Sequence, residues 1–340
     1  MNVLVTGGAG YIGSVVVEQL LRDDHQVTVY DNLSKGHAGA VPTCTRFIEG
    51  DLYDRQLLKN TFTEDRIEAV VHMAAYSLVG ESVTHPATYY QNNVLGSLSL
   101  LDAMRDSRVS RLVFSSTAAV YGDALSRLLV ETDPTVPTNP YGETKLAIEK
   151  ALLWYSQAYG LNYVSLRYFN AAGATAKCGE SHNPETHLIP LVLQVAAGTR
   201  DSIDVFGNDY PTRDGTCVRD YVHVIDLARA HILALNYLFD SPGANRVYNL
   251  GCGGEGYSVL EVVECVRRIT GHGVPIRIGP RRPGDPAVLI ASSELIQSEL
   301  KWAPELQDLA AIVGSAWEWL KSHPGGYKIH PRITPVAQIS

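Results

Sequence analysis

Short apolar runs alternate with amphipathic stretches through the first half of the chain. Met1–Val5 is one such run; it ends at a glycine cluster and is followed by a helical pattern carrying Ile12, Val16, Leu20 and Leu21. Further buried-strand candidates stand at Gln26–Tyr30, Thr45–Glu49, Ala69–Met73, Arg111–Ser115 and Tyr163–Tyr168, with a helix expected around residues 54–62. Strands that alternate with helices suit a parallel sheet covered on both faces. The pattern therefore predicts an α/β fold, a doubly wound parallel sheet of the Rossmann type.

Past residue 170 the rhythm changes. Strands such as Ile203–Phe206 and Val247–Leu250 lie between long loops rich in Pro, Gly, Asn and Asp, and helices are expected at about 257–270 and 305–321. This reads as a smaller mixed α/β lobe, residues 176–325, beside a first domain of residues 1–175, with some later segments free to return to the first. Residues 326–340 carry prolines and little periodicity, and are expected to form a loosely held tail. Doubly wound sheets bind ligands at the carboxyl ends of their strands, so the cleft between the lobes is the expected site.

Composition removes several classes of partner. The 340 residues carry a net charge of −8, which argues against nucleic acid or an anionic membrane while leaving room for a local basic pocket. Cys44, Cys178, Cys217, Cys252 and Cys265 are scattered, with no CxxC pair or Cys/His spacing of a metal site. Free thiols, a reducing compartment and no metal are the expectation. No stretch approaches the length of a membrane span, so a soluble, cytoplasmic chain is expected.

The chemistry starts at Gly7-x-x-Gly10-x-x-Gly13, between a strand and a helix. Glycine there lets the chain bend tightly, lets backbone approach a pyrophosphate and lets helix pack on strand. The helix N-terminus offers free N–H groups and partial positive charge to phosphates. Asp31 ends the second strand, eighteen residues beyond Gly13. A carboxylate there accepts hydrogen bonds from adenosine ribose hydroxyls and repels a 2′-phosphate, which favours NAD, although Lys35 nearby keeps NADP formally open. Asp-Asn also suits a simple strand-end turn. Asp51-Leu52 stands where an adenine contact forms, or where Asp51 caps a helix. The GxxGxxG spacing resembles the extended branch of the short-chain dehydrogenase/reductase superfamily.

Tyr141 and Lys145 lie four apart at the start of a strong helical stretch, hence on one face. An ammonium beside the phenol, with a cationic nicotinamide, is expected to lower its pKa from about 10 towards the working range. Ser115-Ser116-Thr117 ends the fifth strand and offers a hydroxyl to hold the reacting oxygen. The resemblance assigns that role to Thr117, with Ser116 as second choice.

Leu78–Ser82, Tyr89–Val94, Arg167–Asn170, Phe206–Thr212, Val218–Val224 and Arg281–Asp285 are similar to blocks of the UDP-glucose 4-epimerase family. The resemblance implies tightly held NAD and a UDP-hexose substrate. Tyr141 would take the proton of the sugar 4-hydroxyl as hydride leaves the same carbon; the 4-ketone would turn over and receive hydride on its other face. Besides Gly7, Gly10, Gly13 and Asp31, the implied cofactor contacts are Tyr11, Ile12, Asn32, Asp51, Leu52, Met73, Ala74, Ala75, Asn92, Ser115, Tyr141, Lys145 and Tyr168. Asn92 stands in an asparagine pair that also suits a helix cap. The substrate side is assigned to Thr117, Tyr141, Phe169, Asn170, His187, Leu188, Arg219 and Arg282. Both arginines would meet the diphosphate, and Asp285 a uridine ribose hydroxyl or Arg282.

Related dehydratases and decarboxylases carry an acidic residue just after the hydroxyl; here stand Ala118-Ala119, which do no acid–base work. Three positions depart from the family. Thr117 replaces a common serine, Tyr76-Ser77 stands where many members have a lysine, and His187 replaces a common asparagine. Val288, where some members have tyrosine, leaves room for an N-acetyl group. Epimerases of N-acetylated or glucuronate sugars are thus alternatives, and a non-catalytic NAD-binding regulator a distant one. Helices near 92–106 and 141–159 resemble those through which the family forms homodimers.

Overall fold

The computed structural model describes residues 1–123, 128–282 and 285–327. Pro283 and Gly284 of the arginine-rich block, and the expected tail beyond Tyr327, lie outside the described residues. In chain order the first half holds β1 (Asn2–Thr6), α1 (Tyr11–Arg22), β2 (Gln26–Asp31), β3 (Arg46–Glu49), α2 (Arg55–Glu64) and β4 (Ala69–His72). Then come α3 (Val79–Thr84), α4 (Pro86–Tyr89), a π-helical stretch at Tyr90–Leu95, α5 (Gly96–Asp106), β5 (Arg111–Thr117) and α6 (Pro140–Tyr159). The second half contains β6 (Asn162–Tyr168), β7 (Asn170–Ala172), α7 (Leu188–Ala196), β8 (Ile203–Phe206), β9 (Val218–Arg219), β10 (Tyr221–His223) and α8 (Val224–Asp240). It closes with β11 (Asn245–Leu250), β12 (Tyr257–Ser258), α9 (Val259–Thr270), β13 (Ile276–Gly279), β14 (Val288–Leu289), α10 (Glu294–Leu300) and α11 (Leu309–Ser322).

Seven strands form one parallel sheet in the order β3-β2-β1-β4-β5-β6-β11. The pleat explains why its strands read as unbroken apolar runs. Val3 and Val5 face one core with α1 and α8, while Leu4 between them faces the other with α2, α5 and α6. Val113 divides from Leu112 and Phe114 in the same way. Successive side chains point to opposite faces, and here both faces are dry.

One strand belongs elsewhere than its surroundings suggested. Val247–Leu250, read as part of the smaller lobe, lies in β11 and pairs in parallel with β6 at the edge of the main sheet. Helix α8 carries the chain back and packs on α1. The remaining lobe gathers α7, α9 and α11 round Val192, Val262, Val266 and Ile312. Two small sheets, β13-β8 and β12-β9-β14, edge it. Among the described residues no helix is long and apolar enough to cross a membrane.

Candidate active site at the carboxyl edge of the sheet

Three glycines shape the turn after β1. Gly7 has φ +72°, and a Cβ there would stand 2.6 Å from the Ala74 nitrogen, so two loops meet where no side chain fits. A Cβ on Gly13 would lie 2.1 Å from the Gly7 carbonyl oxygen. Gly10 is the N-cap of α1 and offers no side chain to cap it. The first turn of α1 therefore keeps its N–H groups for an outside anion. Asp31 accepts from the Ala9 N–H at 3.0 Å and from the Leu33 N–H at 2.8 Å. It thus ties the turn to β2 while each oxygen retains lone-pair capacity for a hydroxyl. Burial pushes its pKa up, against the pull of those two N–H bonds.

A cleft of about 1550 Å³ runs from this turn to Arg282 and Asp285. That exceeds the several hundred Å³ usual for one small-molecule site, which suits a dinucleotide and a second nucleotide held together. Gly7, Gly10, Tyr11, Ile12, Gly13, Asp31, Asn32, Asp51, Leu52, Met73, Ala74, Ala75 and Asn92 line its first half. Thr117, Tyr141, Lys145, Tyr168, Phe169 and Asn170 stand at its middle, and His187, Leu188, Arg219, Arg282 and Asp285 line the rest.

Ser115 departs from expectation. It is fully buried: its hydroxyl meets His231 Nε2 at 2.8 Å and its carbonyl accepts from Lys145 Nζ at 2.8 Å. It therefore positions the lysine rather than facing the cleft. Ser116 likewise turns inward and donates to Glu149, which leaves Thr117 as the strand-end hydroxyl beside the phenol. The alternative cap readings fail as well. Asp54, not Asp51, caps α2 through the Leu57 N–H, and Asp51 instead receives Asn32 Nδ2 at 2.9 Å. Asn92 sits inside the π-helical stretch, bonded to Asn93.

Helix α6 starts at Pro140, with Asn139 capping the Gly142 N–H, and this sets Tyr141 and Lys145 on its inner face. The Tyr141 N–H donates to the Ser82 hydroxyl at 3.2 Å. Burial pushes the Tyr141 phenol up to about 12, and the hydrogen bond with Thr117 only partly offsets it. The expected lowering by Lys145 is not seen. The lysine is drawn to the Ser115 carbonyl, and burial brings its own pKa down to about 7, with Glu149 opposing. Burial thus favours the neutral phenol, and positive charge placed beside it would favour the phenolate, the form able to accept a proton.

A buried network outside the sequence motifs holds α6 against the sheet. Arg167 donates to Glu149 at 2.6 and 3.0 Å and to the Tyr121 hydroxyl at 2.9 Å. Tyr121 in turn donates to Asn249 at 2.7 Å. Asn93, not anticipated as a site residue, bonds both backbone groups of Tyr76 and the Thr144 hydroxyl, joining the loop after β4 to α6. Although Ser77 supplies no cation, Lys35 stands 5.7 Å from the Tyr76 ring centre and lines the same stretch of cleft.

At the far end, Asp285 pairs with Arg219 at 2.6 Å, not with Arg282. Arg219 also donates to the Pro286 carbonyl, so it is held in place, while Arg282 lies 3.9 Å from the ring centre of Phe206. Asn170 Nδ2 is committed to the Asp220 carbonyl at 3.0 Å, leaving its oxygen for a ligand. Phe206 and Arg200 also line this end and were not anticipated. Val288 is half-buried in β14, in register with Val218. His187 precedes α7 and reaches Glu180 at 2.7 Å and Glu185 at 2.8 Å. Burial lowers its pKa, but the two carboxylates outweigh that and hold it well above the usual range.

The sequence pattern of the NAD dependent epimerase/dehydratase family matches residues 3–251. The UDP-glucose 4-epimerase of Halalkalibacterium halodurans is 56% identical over 329 residues, 96% of this chain and 98% of that protein. A crystal structure of a UDP-glucose 4-epimerase superposes with a TM-score of 0.94 at 51% identity, over 96% of this chain and 100% of that one. The UDP-glucose 4-epimerase of Brucella ovis, solved in complex with NAD, gives 0.90 at 47% identity, over 93% and 97%. Glycine turn, Thr117, Tyr141 and Lys145 thus stand in a chain that belongs to the NAD dependent epimerase/dehydratase family, within its UDP-glucose 4-epimerase branch.

Proposed function

We propose that this chain interconverts UDP-galactose and UDP-glucose, an isomerase that keeps NAD through each turnover. The observation that carries the reading is the single cleft holding both an uncapped glycine turn and the Thr117–Tyr141–Lys145 group. The turn fits the cofactor: no side chain caps the N–H groups of α1's first turn, Asp31 stands by for the ribose, and a side chain at Gly7 or Gly13 would collide with backbone. When bound, NAD supplies the acceptor and donor of hydride and a positive charge on its nicotinamide ring. Tyr141, in the phenolate form that positive charge beside it favours, takes the proton of the 4-hydroxyl and gives it back after the sugar has turned. Thr117 holds the reacting oxygen, and Lys145 sets its ammonium on the Ser115 carbonyl.

Arg219 and Arg282 are assigned to the diphosphate, with Asn170, Phe169, His187 and Leu188 round the sugar. Anchoring the nucleotide rather than the hexose leaves the hexose free to rotate, so binding energy is spent far from the reacting carbon. Asp285, fixed to Arg219, orients that guanidinium. Asp51, Leu52, Met73, Ala74, Ala75, Asn92 and Tyr168 complete the cofactor's walls. Val288 supports a second reading, in which UDP-N-acetylglucosamine is also accepted.

The protein is assigned to the cytoplasm, as a homodimer. Leu95, Leu153, Trp154 and Tyr159 are exposed on neighbouring helical segments, an apolar face that a second copy would cover. The deciding experiment incubates the purified protein with UDP-galactose and no added cofactor. UDP-glucose should accumulate to equilibrium; absence of product in protein that carries NAD would refute the reading.

A further inference from the structure

We infer that Glu180, His182, Glu185 and His187 form a binding site for one divalent transition-metal cation of the zinc class, on the loop that enters α7. The four residues each offer a ligand atom, and these atoms all lie within 4.8 Å of one another. His182 Nδ1 stands 3.1 Å from Glu180 and 3.9 Å from Glu185; His187 Nδ1 stands 2.7 Å and 2.8 Å from the same two. Zinc takes nitrogen and oxygen ligands at roughly 2.0–2.2 Å in a tetrahedron, which places neighbouring donors about 3.4 Å apart. The cluster brackets that spacing, with no two ligand atoms more than 4.8 Å apart, so side-chain shifts on the order of 1 Å would seat an ion. Two imidazoles with two carboxylates suit zinc, cobalt or nickel better than magnesium or calcium, which favour all-oxygen shells.

Charge points the same way. The side chains of Glu180 and Glu185 are only 8% and 6% exposed, yet among the described residues neither pairs with a lysine or arginine. Buried carboxylates need a compensating charge, and here only imidazoles provide one. A divalent cation supplies both positive charges by taking the place of the protons at the two Nδ1 atoms. The surroundings are fixed for this. Glu185 Oε1 accepts the Thr186 and His187 N–H groups at 2.7 and 2.8 Å, which aims Oε2 at His182. The His182 ring meets Tyr11 of the glycine-turn helix edge-on, with centroids 6.4 Å apart. The ion would thus clip the α7 loop beside the cofactor turn, in the wall of the same cleft and through a residue, His187, that is also assigned to the sugar. The inference does not depend on which sugar the enzyme turns over.

The test uses the NAD-bound protein, stripped with a chelator and titrated with Co²⁺ followed by visible absorption, and with Zn²⁺ by calorimetry. One cation per chain is expected, with Co²⁺ bands of a tetrahedral nitrogen–oxygen set. His182→Ala and, separately, Glu180→Gln should each weaken Zn²⁺ binding at least tenfold, whereas Cys44→Ser, at an exposed thiol, should not. Circular dichroism and NAD content check that the variants are folded. No saturable uptake by the wild type, unaltered binding in both folded variants, or a thiolate band with Co²⁺ would each overturn the assignment.

Discussion

Tyr141 is buried beside Thr117, and burial, which disfavours the charged phenolate, holds it neutral. A group so placed can be a base only when a positive charge lies next to it, and Lys145 by itself does not lower it. The division of labour follows from side-chain reach. Lys145 reaches the Ser115 carbonyl, and Ser115 is held in turn by His231. Tyr141→Phe removes the proposed proton carrier and little else, because the ring still fills its place. General acid–base groups contribute about 10²–10⁴ in rate, so turnover of UDP-galactose should fall by at least that lower figure. NAD released on denaturing the purified variant should match the wild type; retained turnover would remove Tyr141 from the mechanism.

Elements here are joined by buried polar residues at strand ends. Asp220, between β9 and β10, accepts the N–H groups of Cys252 just after β11 and of Ala291 just after β14. It is 1% exposed, and burial, opposed by those N–H bonds, pushes its pKa up to about 6. The folded chain therefore keeps a proton that the unfolded chain has lost between roughly pH 4 and 6, so this residue's contribution to stability falls as pH rises through that window. Asp220→Asn cannot ionise. Relative to the variant, the wild type should lose on the order of 2–3 kcal/mol between pH 4 and pH 7, measured by urea unfolding at each pH; a constant difference would show that Asp220 does not titrate there. Such joints were invisible in the sequence because the partners lie far apart along the chain. The sheet strands were legible, since burial on both faces leaves only apolar types at positions such as Val3–Val5. Helix α8 was not, because Val224, Leu227, Ala228, His231 and Leu235 are buried without a clean polar face to mark its period. Without α8, β11 had no visible route back to the main sheet.

At the scale of the molecule, the cleft sets a dinucleotide turn on one lobe against two arginines on the other. The turn and the Tyr141–Lys145 pair were readable because each is local: three glycines before one helix, two residues one turn apart. The arginine end was readable only as residue types. Which carboxylate holds which guanidinium depends on strands β9 and β14 meeting in parallel, and that placed Asp285 on Arg219 and left Arg282 over Phe206. That contact leaves Arg282 the freer of the two, with its guanidinium over an aromatic ring and no carboxylate to satisfy among the described residues. If the nucleotide is the anchor, Arg282 contributes equally to bound substrate and to the transition state, and its loss must appear in KM. A charge-assisted bond to phosphate is worth about 1.5–3 kcal/mol, so Arg282→Ala should raise KM for UDP-galactose by roughly 10- to 100-fold while kcat stays within a few fold. Steady-state rates across a wide substrate range measure both. A fall in kcat at unchanged KM would place Arg282 at the reacting sugar and undo the separation of anchor from chemistry on which free rotation of the hexose depends.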